Sequence, residues 1–173
     1  FLSPLLDEDS AFYTAKKIKE MSAILERPFL AEVPSCNWQI GSMNLYEFMS
    51  RVVLESDCGM LFDCGHHYSY NILHDVSDVD QMIENLDLLP LDRIIEIHVS
   101  GGQVNADHPW RYMDTHFGSI LSPVLRILSA TVPRAPNLRA ITFEFSSRNS
   151  SDQIVRNLNL VSEIVRDAGF ERP

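Results

Sequence analysis

Gly59-Met60-Leu61-Phe62-Asp63-Cys64-Gly65-His66-His67 is a short apolar run that ends in a carboxylate and, three residues later, an imidazole. Its apolar part is too short for a helix and follows the turn-forming Asp57-Cys58-Gly59, so it reads as a buried strand. The polar end then falls where the strand gives way to a loop. In all-parallel sheets, that carboxyl edge is where ligands and catalytic groups collect. Asp63 and His66 are therefore the first pair expected to bind a metal.

The flanking sequence supplies the rest of the fold class. Residues 7–26 carry Phe12, Ala15, Ile18, Met21, Ala23, Ile24 and Leu25 at mostly helical spacing, with Asp9 and Ser10 as expected caps. Arg27-Pro28 ends that helix, and 29–33 is a short strand closing on Glu32. A loop over 34–43 leads to a helix over 44–55. After the opening strand, 65–76 reads as a polar connection in which His67 and His74 face solvent or loop partners. A helix is expected over 79–86. Residues 93–99, Arg-Ile-Ile-Glu-Ile-His-Val, form the clearest strand, and Glu96 and His98 share one face of it because side chains alternate. Gly101-Gly102 breaks the strand. A short, weakly marked strand precedes Asp114, and a helix follows over 123–130, with Ser122 as cap and Pro123 in its first position. The last strand spans 138–145, and an amphipathic helix over 152–168 stops at Gly169. Strand and helix alternate without a tight hairpin signal, which predicts βαβ units on a parallel sheet.

Composition narrows the function classes. At 173 residues with 45% hydrophobic residues, the chain reads as one globular domain over 1–173. No apolar run approaches membrane-spanning length, no signal-peptide pattern opens the sequence, and a cytoplasmic address follows as the default. A net charge of −10 repels phosphate backbones, so nucleic acid is not an expected partner. Cys36, Cys58 and Cys64 are an odd number without Cys-x-x-Cys spacing and read as buried thiols. Glycine-rich phosphate loops and the Gly-x-Ser-x-Gly of serine hydrolases are absent from the sequence.

The chemistry lies in a repetition. Glu32, Asp63 with His66, His98, Asp114 with His116, and Glu144 each stand at or just beyond an expected strand end. In a parallel barrel such positions converge above the barrel mouth. Carboxylates gathered there repel one another, and cations remove the conflict. Seven donors exceed what one ion with an open position uses, so two or three ions bridged by carboxylates are expected. Mixed imidazole and carboxylate donors suit iron, manganese or zinc. Glu96 could orient His98 from behind. His108 and Trp110 stand on a mouth loop as candidates for substrate contact.

The series Glu, Asp-x-x-His, His, Asp-x-His, Glu resembles the ligand set of the xylose-isomerase-like and endonuclease-IV-like (β/α)8 barrels. Within them, the stretches over 27–35, 58–63, 89–98 and Asp114-Thr115-His116 resemble the multinuclear non-haem iron-dependent oxidases, the methanobactin-biosynthesis-oxidase-like peptide-modifying enzymes. The resemblance implies a TIM-barrel fold, two or three irons held by Glu32, Asp63, His66, His98, Asp114, His116 and Glu144, and dioxygen-dependent modification of a cysteine in a ribosomally made peptide. It also implies a peptide substrate, with a peptide-recognition protein as a possible partner. Two other readings stand beside it: a zinc or manganese sugar isomerase or phosphodiesterase on the same barrel, and a non-catalytic barrel fragment that acts as a binding partner.

Such barrels have eight strands, whereas five are readable here. The expectation is therefore a partial barrel, its C-terminal five βα units present and its first strands supplied by a longer chain or a separate polypeptide.

Overall fold

A computed structural model describes residues 4–35 and 37–170; Cys36, expected as a buried thiol, lies outside the described residues. Four strands, β1 (Leu30–Glu32), β2 (Gly59–Asp63), β3 (Ile94–Ser100) and β6 (Ala140–Glu144), pair in parallel in that order. Each neighbouring pair is joined by a helical crossover, as parallel pairing requires. The chain is thus an α/β fold on a parallel sheet, with β1 and β6 at its edges.

The crossovers are α1 (Glu8–Leu25) before β1, α2 (Leu45–Ser56) between β1 and β2, α3 (Cys64–Leu73) and α4 (Val79–Glu84) between β2 and β3, and α5 (Ser122–Thr131) between β3 and β6. A final helix, α6 (Ser151–Asp167), follows β6. Met60, Phe62, Ile97 and Val99 point to one side of the sheet and are fully buried among Phe48, Val52, Val124, Ile127 and Leu128. The alternate residues Leu61, Glu96, His98, Thr142 and Glu144 point the other way and stay partly open. Burial of apolar surface is therefore concentrated on the helical side, at roughly 25 cal/mol per Å² removed from water. None of the described helices is long and apolar enough to cross a membrane.

Helix ends follow local chemistry. Asn44 caps α2 by accepting from the Glu47 N–H at 2.8 Å, and Asp57 closes it in the left-handed region at φ 56°. Asp7, rather than Asp9 or Ser10, caps α1, accepting from the Ser10 N–H at 2.8 Å. Ser122 and Pro123 are the first two residues of α5, and Leu121 stands at its cap position with no side-chain bond.

Three further expectations fail for physical reasons. The strand before Asp114 is not a fifth parallel strand: β5 (Tyr112–Met113) pairs antiparallel with β4 (Gln103–Val104). The connection over 105–111 is too short for a crossover and can only turn back. The amphipathic reading of α1 is also only partly met. Ala11, Ala15 and Ile18 are buried, whereas Phe12, Met21, Ile24 and Leu25 remain exposed: α1 packs chiefly on α2 and buries only this narrow stripe.

The third concerns 65–76, which is mostly the helix α3 and not a polar loop. His67 lies at 0% exposure on its inner side. The Met82 carbonyl, 2.8 Å from Nε2, can only accept, so Nε2 carries the hydrogen and Nδ1 takes the Tyr46 hydroxyl at 3.3 Å. Asn71 donates to the same Tyr46 oxygen at 2.8 Å and accepts from Asn85 at 2.7 Å. Burial pushes the His67 pKa down to about 4, against the pull of the Met82 carbonyl, so the imidazole is neutral near pH 7. A polar network closed in this way substitutes for apolar packing, since each buried group has a partner. Replacement of His67 by Ala removes the ring and leaves the Tyr46 hydroxyl and the Met82 carbonyl short of partners. The expected loss is about 2–4 kcal/mol in denaturant unfolding.

Candidate metal centre

The site is built on the register of the sheet. Asp63 of β2 stands opposite His98 of β3, His98 opposite Thr142 of β6, and Ser100 opposite Glu144. Glu32 ends β1. One edge of the parallel sheet therefore gathers these side chains, which the sequence had strung out over more than a hundred residues.

Asp63 does two jobs with two oxygens. Its Oδ1 accepts the His66 N–H at 2.8 Å, which makes it the N-cap of α3 and explains the Asp-x-x-His spacing as a cap and the third residue of the helix. Its Oδ2 is buried and has no hydrogen-bond partner among the described residues. Burial pushes the Asp63 pKa up to about 6, with Asp114 and Glu144 adding to the rise and His66 opposing it. An orphaned buried carboxylate oxygen is unfavourable unless a cation meets it.

Two groups of donors converge on that oxygen's residue. Glu32, Asp63 and His66 offer atoms within 4.8 Å of one another, and so do Asp63, His98 and Glu144. Asp63 belongs to both, the arrangement expected of a bridging carboxylate between two ions. His66 is held by its Nδ1–H, which donates to the Val33 carbonyl at 2.7 Å, while Nε2 lies 3.1 Å from Asp114 Oδ2. A ring tied to a backbone carbonyl through one nitrogen is oriented to offer the other. Burial works against charge on His66, yet the bond to Asp114 and the charge of Asp63 lift its pKa to about 9.

The remaining residues join through ion-pair contacts. Asp114 Oδ2 lies 3.1 Å from both His66 Nε2 and His116 Nε2, and Glu144 Oε2 lies 3.4 Å from His98 Nδ1 and 3.6 Å from His116 Nε2. Asp114 is held below the usual carboxylate range: burial alone would raise it, but the hydrogen bonds from His66 and Ser100 and the imidazole charges prevail. All seven residues read from the sequence thus lie in one network, five of them in the two compact triads. Glu96 Oε1 sits 3.1 Å from His98 Nε2 and accepts from Thr142 at 2.7 Å, so it orients the His98 ring. His108 and Trp110 are exposed and meet each other at 5.5 Å between ring centroids; neither lines the pocket of about 650 Å³ that holds Glu32, His66, Asp114, His116 and Glu144. Arg111, Met113 and Trp38 line it instead.

Several contributors carry no signal in the sequence. Ser100 donates to Asp114 Oδ1 at 2.5 Å, aligning that carboxylate. Asn149 donates to the His116 carbonyl at 2.8 Å and accepts from the Gly118 N–H at 2.9 Å, which pins a segment in which His116 adopts φ 51°. A non-glycine residue held in the left-handed region is a mark of constraint. Gly102 is required for space, because a Cβ there would stand 2.1 Å from the hydroxyl of the buried Tyr112.

The fold is an α/β layer on a parallel sheet, and the carboxylate and imidazole cradle at its strand ends is a candidate metal site. The comparison with known families is more specific: the model described as "RiPP precursor modification enzyme MbnB/TglH/ChrH" matches residues 2–165, and the chain belongs to that family. Among curated relatives, a UPF0276 protein of Shewanella sediminis is 30% identical over 122 residues, covering 70% of this chain and 42% of the relative. UPF0276 proteins of Nitrosospira multiformis and Shewanella loihica are 31% and 32% identical over 72% and 73% of the chain, and 42% and 43% of their own lengths. The matched region therefore spans less than half the length of these relatives.

Titration of the full-length protein with a divalent metal checks the donor set. Glu144→Ala should weaken binding most, Glu96→Gln should weaken it by about 10–100-fold through loss of His98 orientation, and His108→Ala should leave it unchanged.

Proposed function

We propose that the full-length protein is an iron-dependent, dioxygen-using oxidase that modifies a cysteine in a ribosomally synthesised peptide. The observation that carries this reading is the pair of donor triads sharing Asp63, whose buried Oδ2 has no other partner among the described residues. The family described above supports the peptide as substrate. In this reading the four-stranded sheet is part of a (β/α)8 barrel, and the strands that complete it belong to a longer chain or a separate polypeptide. A separate protein that recognises the peptide is a further partner in the proposal. A cytoplasmic address would keep the substrate thiol reduced.

The residues present fit two or three iron ions, because carboxylates and imidazoles without thiolate are donors suited to that metal. Bound iron would supply the redox chemistry toward dioxygen and the substrate thiol, with an open position for each. The protein's own groups do the rest. Glu32, Asp63 and His66 would hold one ion and Asp63, His98 and Glu144 another. Asp114 and His116 complete the rim, Glu96 fixes the His98 ring, and Ser100 fixes the Asp114 carboxylate. In the protein without metal, the Asp114 carboxylate keeps a proton on the facing nitrogen of His66, and that proton must leave before the nitrogen can act as a donor. The half-open pocket beside them admits a peptide side chain while the sheet and α3 exclude water from Asp63.

The same donors suit zinc or manganese, and a sugar isomerase or phosphodiesterase is the second reading. Anaerobic purification of the full-length protein decides between them. The expected result is iron retained in stoichiometric amount, with oxygen uptake that requires a cysteine-containing peptide. Retention of zinc or manganese with no thiol-dependent oxygen uptake would overturn the proposal in favour of the second reading.

A further inference from the structure

The pocket that carries Glu32, Asp114 and Glu144 is also lined by Arg111, the one residue of its described lining that stays cationic at any physiological pH. Arg51, Arg93, Arg126 and Arg134 each meet a carboxylate in an ion pair, and Arg27, Arg139, Arg148 and Arg156, which meet none among the described residues, do not line this pocket. The guanidinium of Arg111 meets none among the described residues, although carboxylates line the same pocket.

Its backbone, in contrast, is firmly placed. The Asn105 N–H donates to the Arg111 carbonyl at 2.9 Å, and the Arg111 N–H donates to the His108 carbonyl at 2.9 Å. Asn105 Oδ1 accepts from the N–H groups of Asp107 and His108 at 2.9 and 3.0 Å, closing the turn from within. The antiparallel pair β4 and β5 anchors its base. A fixed main chain thus presents a planar, permanently charged fork that no carboxylate of the described residues engages.

Such a fork matches a carboxylate in two parallel hydrogen bonds. The need for it follows from charge. A substrate carrying a carboxylate near its reacting group approaches a pocket rimmed by Glu32, Asp114 and Glu144 in a chain of net charge −10, and like charges oppose its entry. We propose that Arg111 is a specificity-determining residue that takes a carboxylate of the thiol substrate and so sets the thiol toward the metal centre. The proposal deepens the oxidase reading above and rests on it.

The test uses the full-length protein loaded anaerobically with iron and two small probes of matched size, 3-mercaptopropionate and 3-mercaptopropionamide, with dissociation constants read by calorimetry. The carboxylate probe should bind roughly tenfold more tightly than the amide, the scale of a hydrogen-bonded charge contact. Arg111→Gln should erase that preference while leaving the amide's affinity unchanged, and Arg111→Lys should retain part of it. Equal affinities in the unsubstituted protein, or a preference that survives Arg111→Gln, would overturn the assignment of Arg111 alone. Absence of binding by both thiols to the iron-loaded protein would overturn the thiol-oxidase reading together with it.

Discussion

The negative charge gathered at the carboxyl edge of the sheet is the constraint on which the rest of this structure turns. Asp63, Asp114, Glu144 and Glu32 stand within reach of common partners, and their like charges repel one another. Three imidazoles are interleaved with them. His66 bridges to Asp114, His116 touches Asp114 and Glu144, and His98 lies between Glu96 and Glu144. Even so, one oxygen of the buried Asp63 carboxylate has no partner among the described residues. Compactness here is sustained at a local electrostatic cost that bound cations would remove.

Asp63 shows how the fold accommodates that cost. By capping α3 through one oxygen it contributes about 1 kcal/mol to the helix, while the other oxygen is buried with no hydrogen-bond partner among the described residues. The helix in turn is fixed from beneath by the closed network of His67, Tyr46, Asn71 and Asn85, so the cap cannot drift without breaking buried hydrogen bonds. Adjacent histidines in the sequence therefore have opposite tasks. His66 is lifted toward the charged form among carboxylates, and His67 is kept neutral in the core. The segment of His116 is held in the same spirit by Asn149, which secures a backbone conformation that few residues adopt unaided.

Much of this was legible in the amino-acid order because parallel strands obey simple rules. The apolar runs of β2 and β3, with period-two alternation around Glu96 and His98, locate both the strands and the side that carries the donors. What escaped is what depends on partners far along the chain. Residues 65–73 contain histidine, serine and asparagine, and read as polar until Tyr46 and Met82 are known to satisfy them. The exposed apolar residues of α1 look like core because their spacing is helical, yet the helix buries only Ala11, Ala15 and Ile18. Ser100 and Asn149 acquire their contacts, and Arg111 its place in the pocket, only from the loops folded against them. Residue type alone marks none of the three.

The central claim is that Asp63 bridges two metal ions at the strand ends. A crystal structure of the full-length protein, loaded anaerobically with iron and measured at wavelengths on either side of the iron absorption edge, tests it directly. The account predicts two anomalous peaks flanking the Asp63 carboxylate, one beside Glu32 and His66 and one beside His98 and Glu144. Iron bound elsewhere, or a single ion that leaves Asp63 uncoordinated, would contradict it.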